Sequence, residues 1–111
     1  LVSENKCLSH PASVDSIPTS NGQEDHVSMG TIAARKAREV IKNSEEVLAI
    51  EFLAASQGIY FRSPLKPGIG TGNIYRRIRS RIQPVIKDRL LGSDLRIMKE
   101  LMKGEIGFLV P

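Results

Sequence analysis

Residues 47–55 read Val-Leu-Ala-Ile-Glu-Phe-Leu-Ala-Ala, and only Glu51 interrupts the apolar run. Spread over helical turns, such a run leaves apolar groups on nearly every side of the axis. A helix of that kind has to be buried all round. A chain of 111 residues can hardly surround one of its own helices. The segment therefore predicts a larger helical bundle or a tight oligomer, and a mainly α fold.

The flanking sequence organises itself around this segment. Residues 1–22 contain Pro11, Pro18, Asn21, Gly22 and several Ser, and read as extended loop. A loop of that length is uncommon in a compact domain and is often functional. A first helix is expected from about Gln23–His26 to Lys42, with Glu24 and Asp25 in its first turn, where acids suit the helix dipole. Ala33, Ala37, Val40 and Ile41 fall on one stripe of it. Asn43, Ser44, Glu45 and Glu46 resemble a cap and an acidic first turn, so a second helix is expected over 44–61. Residues 23–62 are thus one long core helix or a kinked pair. Pro64, Pro67, Gly68, Gly70 and Gly72 mark 63–72 as a connector. Two shorter helices fill 73–104. One turns Ile74, Ile78 and Ile82 inward and is stopped by Pro84, and the other is capped by Ser93-Asp94 and closed by Gly104. Residues 105–111 are expected to be a short strand or a tail.

Composition narrows the class. Hydrophobic residues make up 41%, which is globular. No run of about 18 apolar residues exists, so no membrane span is expected, and no signal peptide is visible. Cys7 is the single cysteine and has no internal disulfide partner, which favours a reducing, cytoplasmic setting. The chain opens on Leu1 in mid-pattern, as a piece of something longer would. Residues 1–58 carry 5 Lys and Arg against 8 Asp and Glu, and residues 59–111 carry 11 against 4. A basic half can mark a nucleic-acid face. The aromatic interleaving of a single-strand binder is nearly absent, so a solvated helix surface or an acidic neighbouring segment is favoured and no nucleic-acid partner is expected.

Few residues offer chemistry. Residues 68–72 (Gly-Ile-Gly-Thr-Gly) lack the Lys-Ser/Thr ending of a phosphate loop. His10 and His26 are the only histidines and show no paired spacing, so no metal site is expected. What remains is Gln23, Glu24, Asp25 and His26, crowded between a long loop and a buried helix. These groups are either a solvated helix cap or a site where a carboxylate binds a cation or an N–H, or moves a proton.

Residues 14–20 (Val-Asp-Ser-Ile-Pro-Thr-Ser) and 23–36 (Gln-Glu-Asp-His-Val-Ser-Met-Gly-Thr-Ile-Ala-Ala-Arg-Lys) closely resemble the C-terminal part of the histidine ammonia-lyases, within the aromatic amino acid lyases. Residues 47–51, 65–71 and 88–91 fit as well, so the resemblance covers nearly the whole chain. It departs at Asn21-Gly22, where many members have Ala-Asn. The resemblance implies the long-helix bundle of that family and a homotetramer with composite active sites. It implies elimination of ammonia from L-histidine to give urocanate, in histidine degradation. It also implies a 4-methylidene-imidazol-5-one group formed from an Ala-Ser-Gly tripeptide. Glu24 then corresponds to the family's active-site glutamate, catalytic and substrate-binding, where phenylalanine and tyrosine lyases usually carry an amide. Gln23 is a candidate substrate neighbour, and Gln23 and His26 are expected to position Glu24.

No Ala-Ser-Gly occurs in residues 1–111, and Tyr60 and Tyr75 match no catalytic tyrosine motif. The 111 residues by themselves are therefore expected to be inactive, and the remainder of the lyase polypeptide is an expected partner. The alternative is a non-catalytic helical interaction module on the same scaffold.

Overall fold

The computed structural model describes residues 1–14, 16–23 and 27–106, the side chains of 105 and 106 excepted. The chain is mainly α-helical, and no strand occurs among the described residues. Helix α1 spans Val2–Leu8, α2 Gly30–Phe61, α3 Ile69–Arg81 and α4 Gly92–Leu101. Short 3-10 turns occupy Ala12–Val14 and Ser20–Gly22, and a π-helical turn, Met102–Ile106, follows α4. The chain divides into two compact units, Leu1–Ser44 and Glu45–Pro111, with the boundary inside α2.

In the first unit, α1 occupies sequence expected to be loop. A seven-residue helix is too short to stand by its own hydrogen bonds. It is held by Asn43 of α2. The Asn43 Nδ2 donates to Glu4 Oε2 at 3.0 Å and to Asn5 Oδ1 at 3.0 Å. Asn5 Nδ2 donates to Ser44 Oγ at 3.4 Å. The Lys36 ammonium donates to the carbonyl of His10.

These contacts explain why α2 runs unbroken across Asn43-Ser44, a pair with the residue types of a helix cap. The Asn43 amide is spent on α1. Ser44 Oγ donates to the Val40 carbonyl at 2.8 Å, an intrahelical bond that leaves the backbone ladder intact. The other expected boundary moves too. Helix α2 starts at Gly30, not at 23–26, and its first turn holds no acidic residue. Glu24 and Asp25, expected in that first turn, lie outside the described residues.

The second unit has a small apolar core. Ala49 of α2, Ile78 of α3, Ile82 just beyond it, and Met98 and Leu101 of α4 are buried, with Phe52, Leu53, Ile74 and Leu95 packed around them. On α2 the inward set Ala49, Phe52, Leu53 and Ser56 follows i, i+3, i+4, i+7 spacing. The flanks of that stripe are left open: Leu48 and Ile50 are each 46% exposed. Helix α3 begins at Ile69, so its first turn takes in the glycines of the expected connector, and Gly72 N donates to Gly68 O at 2.7 Å.

Helix α4 starts at Gly92, and Asp94 is not its cap. Asp94 is buried and accepts from Arg89 Nε at 3.2 Å and Nη2 at 2.8 Å. Arg89 also donates to the carbonyls of Pro84 and Gln83, at 3.1 and 2.8 Å. Gln57 closes the same loop: its Nε2 donates to Val85 O at 3.1 Å, and its Oε1 accepts from Val85 N at 3.0 Å. Ion pairs Lys99–Glu46 and Lys103–Glu45 tie the end of the chain to α2.

Candidate functional site

The site residues suggested by sequence lie in the approach to α2. Thr19 is extended, at φ −127° and ψ 168°. Ser20 (φ 52°), Asn21 (φ 56°) and Gly22 (φ 81°) then follow one another in the left-handed region. Gln23 returns to φ −80°, ψ −23°. Two backbone bonds close the turn, Gly22 N to Thr19 O at 3.0 Å and Gln23 N to Ser20 O at 3.2 Å. Each non-glycine residue in this region costs about 1–2 kcal/mol from crowding between Cβ and the following carbonyl. Asparagine and glycine enter it most readily. The Asn21-Gly22 pair thus suits the conformation it adopts. Strained backbone of this kind gathers at functional sites, where the surroundings hold it in place.

The Gln23 side chain is exposed, as are Ser20, Asn21 and Gly22, while Thr19 and Val27 are half-buried. Glu24, Asp25 and His26 lie outside the described residues. After them the chain is non-helical through Val27–Met29, and Ser28 Oγ accepts from Gly30 N at 3.3 Å as α2 begins. The described backbone therefore brackets Glu24 between a closed left-handed turn and a helix start.

A cleft of about 310 Å³ lies in the second unit, and none of residues 16–30 lines it. Its walls are apolar, with Leu53, Ile82, Val85 and Leu95 among them. At its edge Arg79 Nη2 donates to Gln57 Oε1 at 3.3 Å and Asp94 is paired with Arg89, while Arg79 Nε is buried without a hydrogen-bond partner. His10 and Cys7 are exposed, and no three potential metal ligands converge among the described residues.

The model of the aromatic amino acid lyases matches residues 1–80. The chain belongs to the aromatic amino acid lyase family. Within it, the relatives are histidine ammonia-lyases. The protein of that name from Caldanaerobacter subterraneus subsp. tengcongensis is 60% identical over 104 residues, covering 94% of this chain and 20% of the relative. The Homo sapiens histidine ammonia-lyase is 54% identical over 102 residues, covering 92% of this chain and 16% of the relative. The crystal structure of histidine ammonia-lyase from Trypanosoma cruzi superposes with a TM-score of 0.88 at 42% identity, over 99% of this chain and 23% of that one. The helical lyase fold is thereby established. The chain spans about a fifth of the length of the curated relatives it matches. The matches favour a lyase segment over a non-catalytic module.

Proposed function

We propose that these 111 residues are the portion of a histidine ammonia-lyase that carries the acid of the histidine pocket, Glu24. The identity to histidine ammonia-lyases, 60% in one case, is the observation that carries the reading. The full protein eliminates ammonia from L-histidine: the α-amino group and a β-proton leave, and urocanate remains. The Glu24 carboxylate accepts a hydrogen bond from an imidazole N–H, or balances positive charge on the ring or the amino group. An amide at that position serves an uncharged aryl ring better, so the acid is also the basis of selection for histidine. Gln23 and His26 hold Glu24 in place, and Gln23 borders the substrate.

The family's electrophile arises from Ala-Ser-Gly, and no residue of this chain can supply it, since the tripeptide does not occur in 1–111. No step through that group is assigned to these residues. The partners are the remainder of the lyase polypeptide and further copies in a homotetramer, in the cytoplasm. No helix among the described residues is long and apolar enough to cross a membrane.

Replacing Glu24→Ala in the full-length protein tests the reading. Turnover of histidine is expected to fall by about 10²-fold or more, as loss of a positioned acid-base group does. Turnover within a few-fold of the parent would remove Glu24 from the mechanism.

A further inference from the structure

We propose that the cleft of about 310 Å³ in the second unit seats a segment of the same lyase polypeptide from outside these 111 residues, one that presents an Asp or Glu carboxylate to Arg79 beside a large apolar side chain. The inference rests on these residues being part of a longer lyase and is independent of the role of Glu24. Arg79 is half-buried in the cleft wall, and no described carboxylate pairs with it. Its bonds go to neutral oxygens: Nη1 donates to Ile82 O at 3.4 Å and Nη2 to Gln57 Oε1 at 3.3 Å. Both are longer than the usual range of about 2.7–3.2 Å. The Tyr75 ring lies over the guanidinium, its centroid 5.5 Å from Cζ, and Nε is buried with no partner. A charge drawn this far out of water is ordinarily paired. The carboxylate in the cleft wall, Asp94, is already held by Arg89 at 2.8 Å. Each terminal nitrogen of Arg79 carries a second N–H, and a carboxylate takes such a pair side by side.

The cleft has room for more than the acid. A dry cavity of about 150 Å³ already holds benzene, so a leucine-sized or aromatic side chain fits here. Ile50 and Leu91, both in the wall, are 46% and 42% exposed, and Ile86 and Leu90 of the loop between α3 and α4 are 76% and 93% exposed. A small free carboxylate inside the cleft would leave Ile86 and Leu90 in water, whereas a crossing segment of polypeptide covers them. The relatives supply such chain, since these residues span about a fifth of their length. Residues 59–111 carry 11 Lys and Arg against 4 Asp and Glu, which suits an acidic neighbour. A second copy docked through the same face would set Arg79 and this basic half against their own kind.

The full-length lyase carrying Leu91→p-benzoylphenylalanine is irradiated, digested and read by mass spectrometry. Light and heavy isotope chains are co-assembled, to separate links within a chain from links between copies. The expected link joins position 91 to a peptide of the same chain, outside the 111 residues, that holds Asp or Glu next to a large apolar residue. Where that variant does not assemble, Ile86→p-benzoylphenylalanine takes its place. No link, a link inside the 111 residues, a link between light and heavy chains, a non-protein adduct, or a linked peptide without an acid each overturns the proposal. The charge is read by hydrogen exchange of the peptide containing Val85, whose N–H is held by Gln57 Oε1 at 3.0 Å. Arg79→Met and conversion of the linked acid to its amide should each speed that exchange by about tenfold, and the double variant by no more than about twofold beyond either. Parental exchange in the amide variant, or effects that multiply in the double variant, overturns the pairing. Parental turnover in Glu24→Gln sinks the histidine-pocket reading instead and leaves this result standing.

Discussion

Asn43 shows how one side chain can decide a local fold. It is 8% exposed, and its amide donates to Glu4 and Asn5 of α1. Asn43→Ala removes two hydrogen bonds at about 0.5–1.5 kcal/mol each. The expected result is loss of hydrogen-exchange protection over Val2–Leu8, with α3 and α4 unaffected; unchanged protection in α1 would show that something else holds it. In sequence Asn43-Ser44 has every feature of a helix cap, and no local signal announces that its partner lies 38 residues away. Asn21-Gly22 was legible only as part of an extended loop, although both residue types favour turns. The left-handed backbone of Ser20 before them was not legible, since serine carries no such preference. Gln23 is placed and exposed, while Glu24 and His26, the centre of the sequence reading, fall outside the described residues.

At the scale of elements, helices with a regular apolar stripe were readable and their ends were not. Ile74, Ile78 and Ile82 recur every fourth position and do turn inward, Ile78 and Ile82 to near-complete burial. Met98 and Leu101 do the same on α4. The ends moved because caps were decided by tertiary partners: Asp94 went to Arg89, Asn43 to α1, and the Gly68–Gly72 stretch joined α3. Two stability predictions belong here. Met98→Ala empties a fully buried site shared by three helices and should cost about 2–5 kcal/mol in denaturant unfolding. Arg89→Ala strips the partner from buried Asp94 and frees two loop carbonyls. The arginine side chain is itself 35% exposed, so about 1–3 kcal/mol is expected, less than for a fully buried pair. No change in unfolding midpoint for Arg89→Ala would mean that water replaces the guanidinium without loss.

For the molecule as a whole, the apolar surface left uncovered matters most. Leu48 and Ile50 on α2, Phe61 at its end, Leu65 in the connector and Ile69 at the start of α3 are all exposed, Ile69 to 90%. These 111 residues thus leave their most apolar segment, 47–55, partly uncovered. The 111 residues alone should therefore self-associate, with a sedimentation coefficient that climbs with concentration; a constant monomer value would show that the open face needs no cover. The proposed histidine pocket depends on the charge of one side chain. The most direct measurement is histidine kcat for the full-length lyase bearing Glu24→Gln, which keeps the shape and removes the carboxylate. A fall of about 10²-fold is predicted, with the assembled state unchanged. Turnover within about threefold of the parent would contradict the assignment of this segment's acid to the histidine pocket.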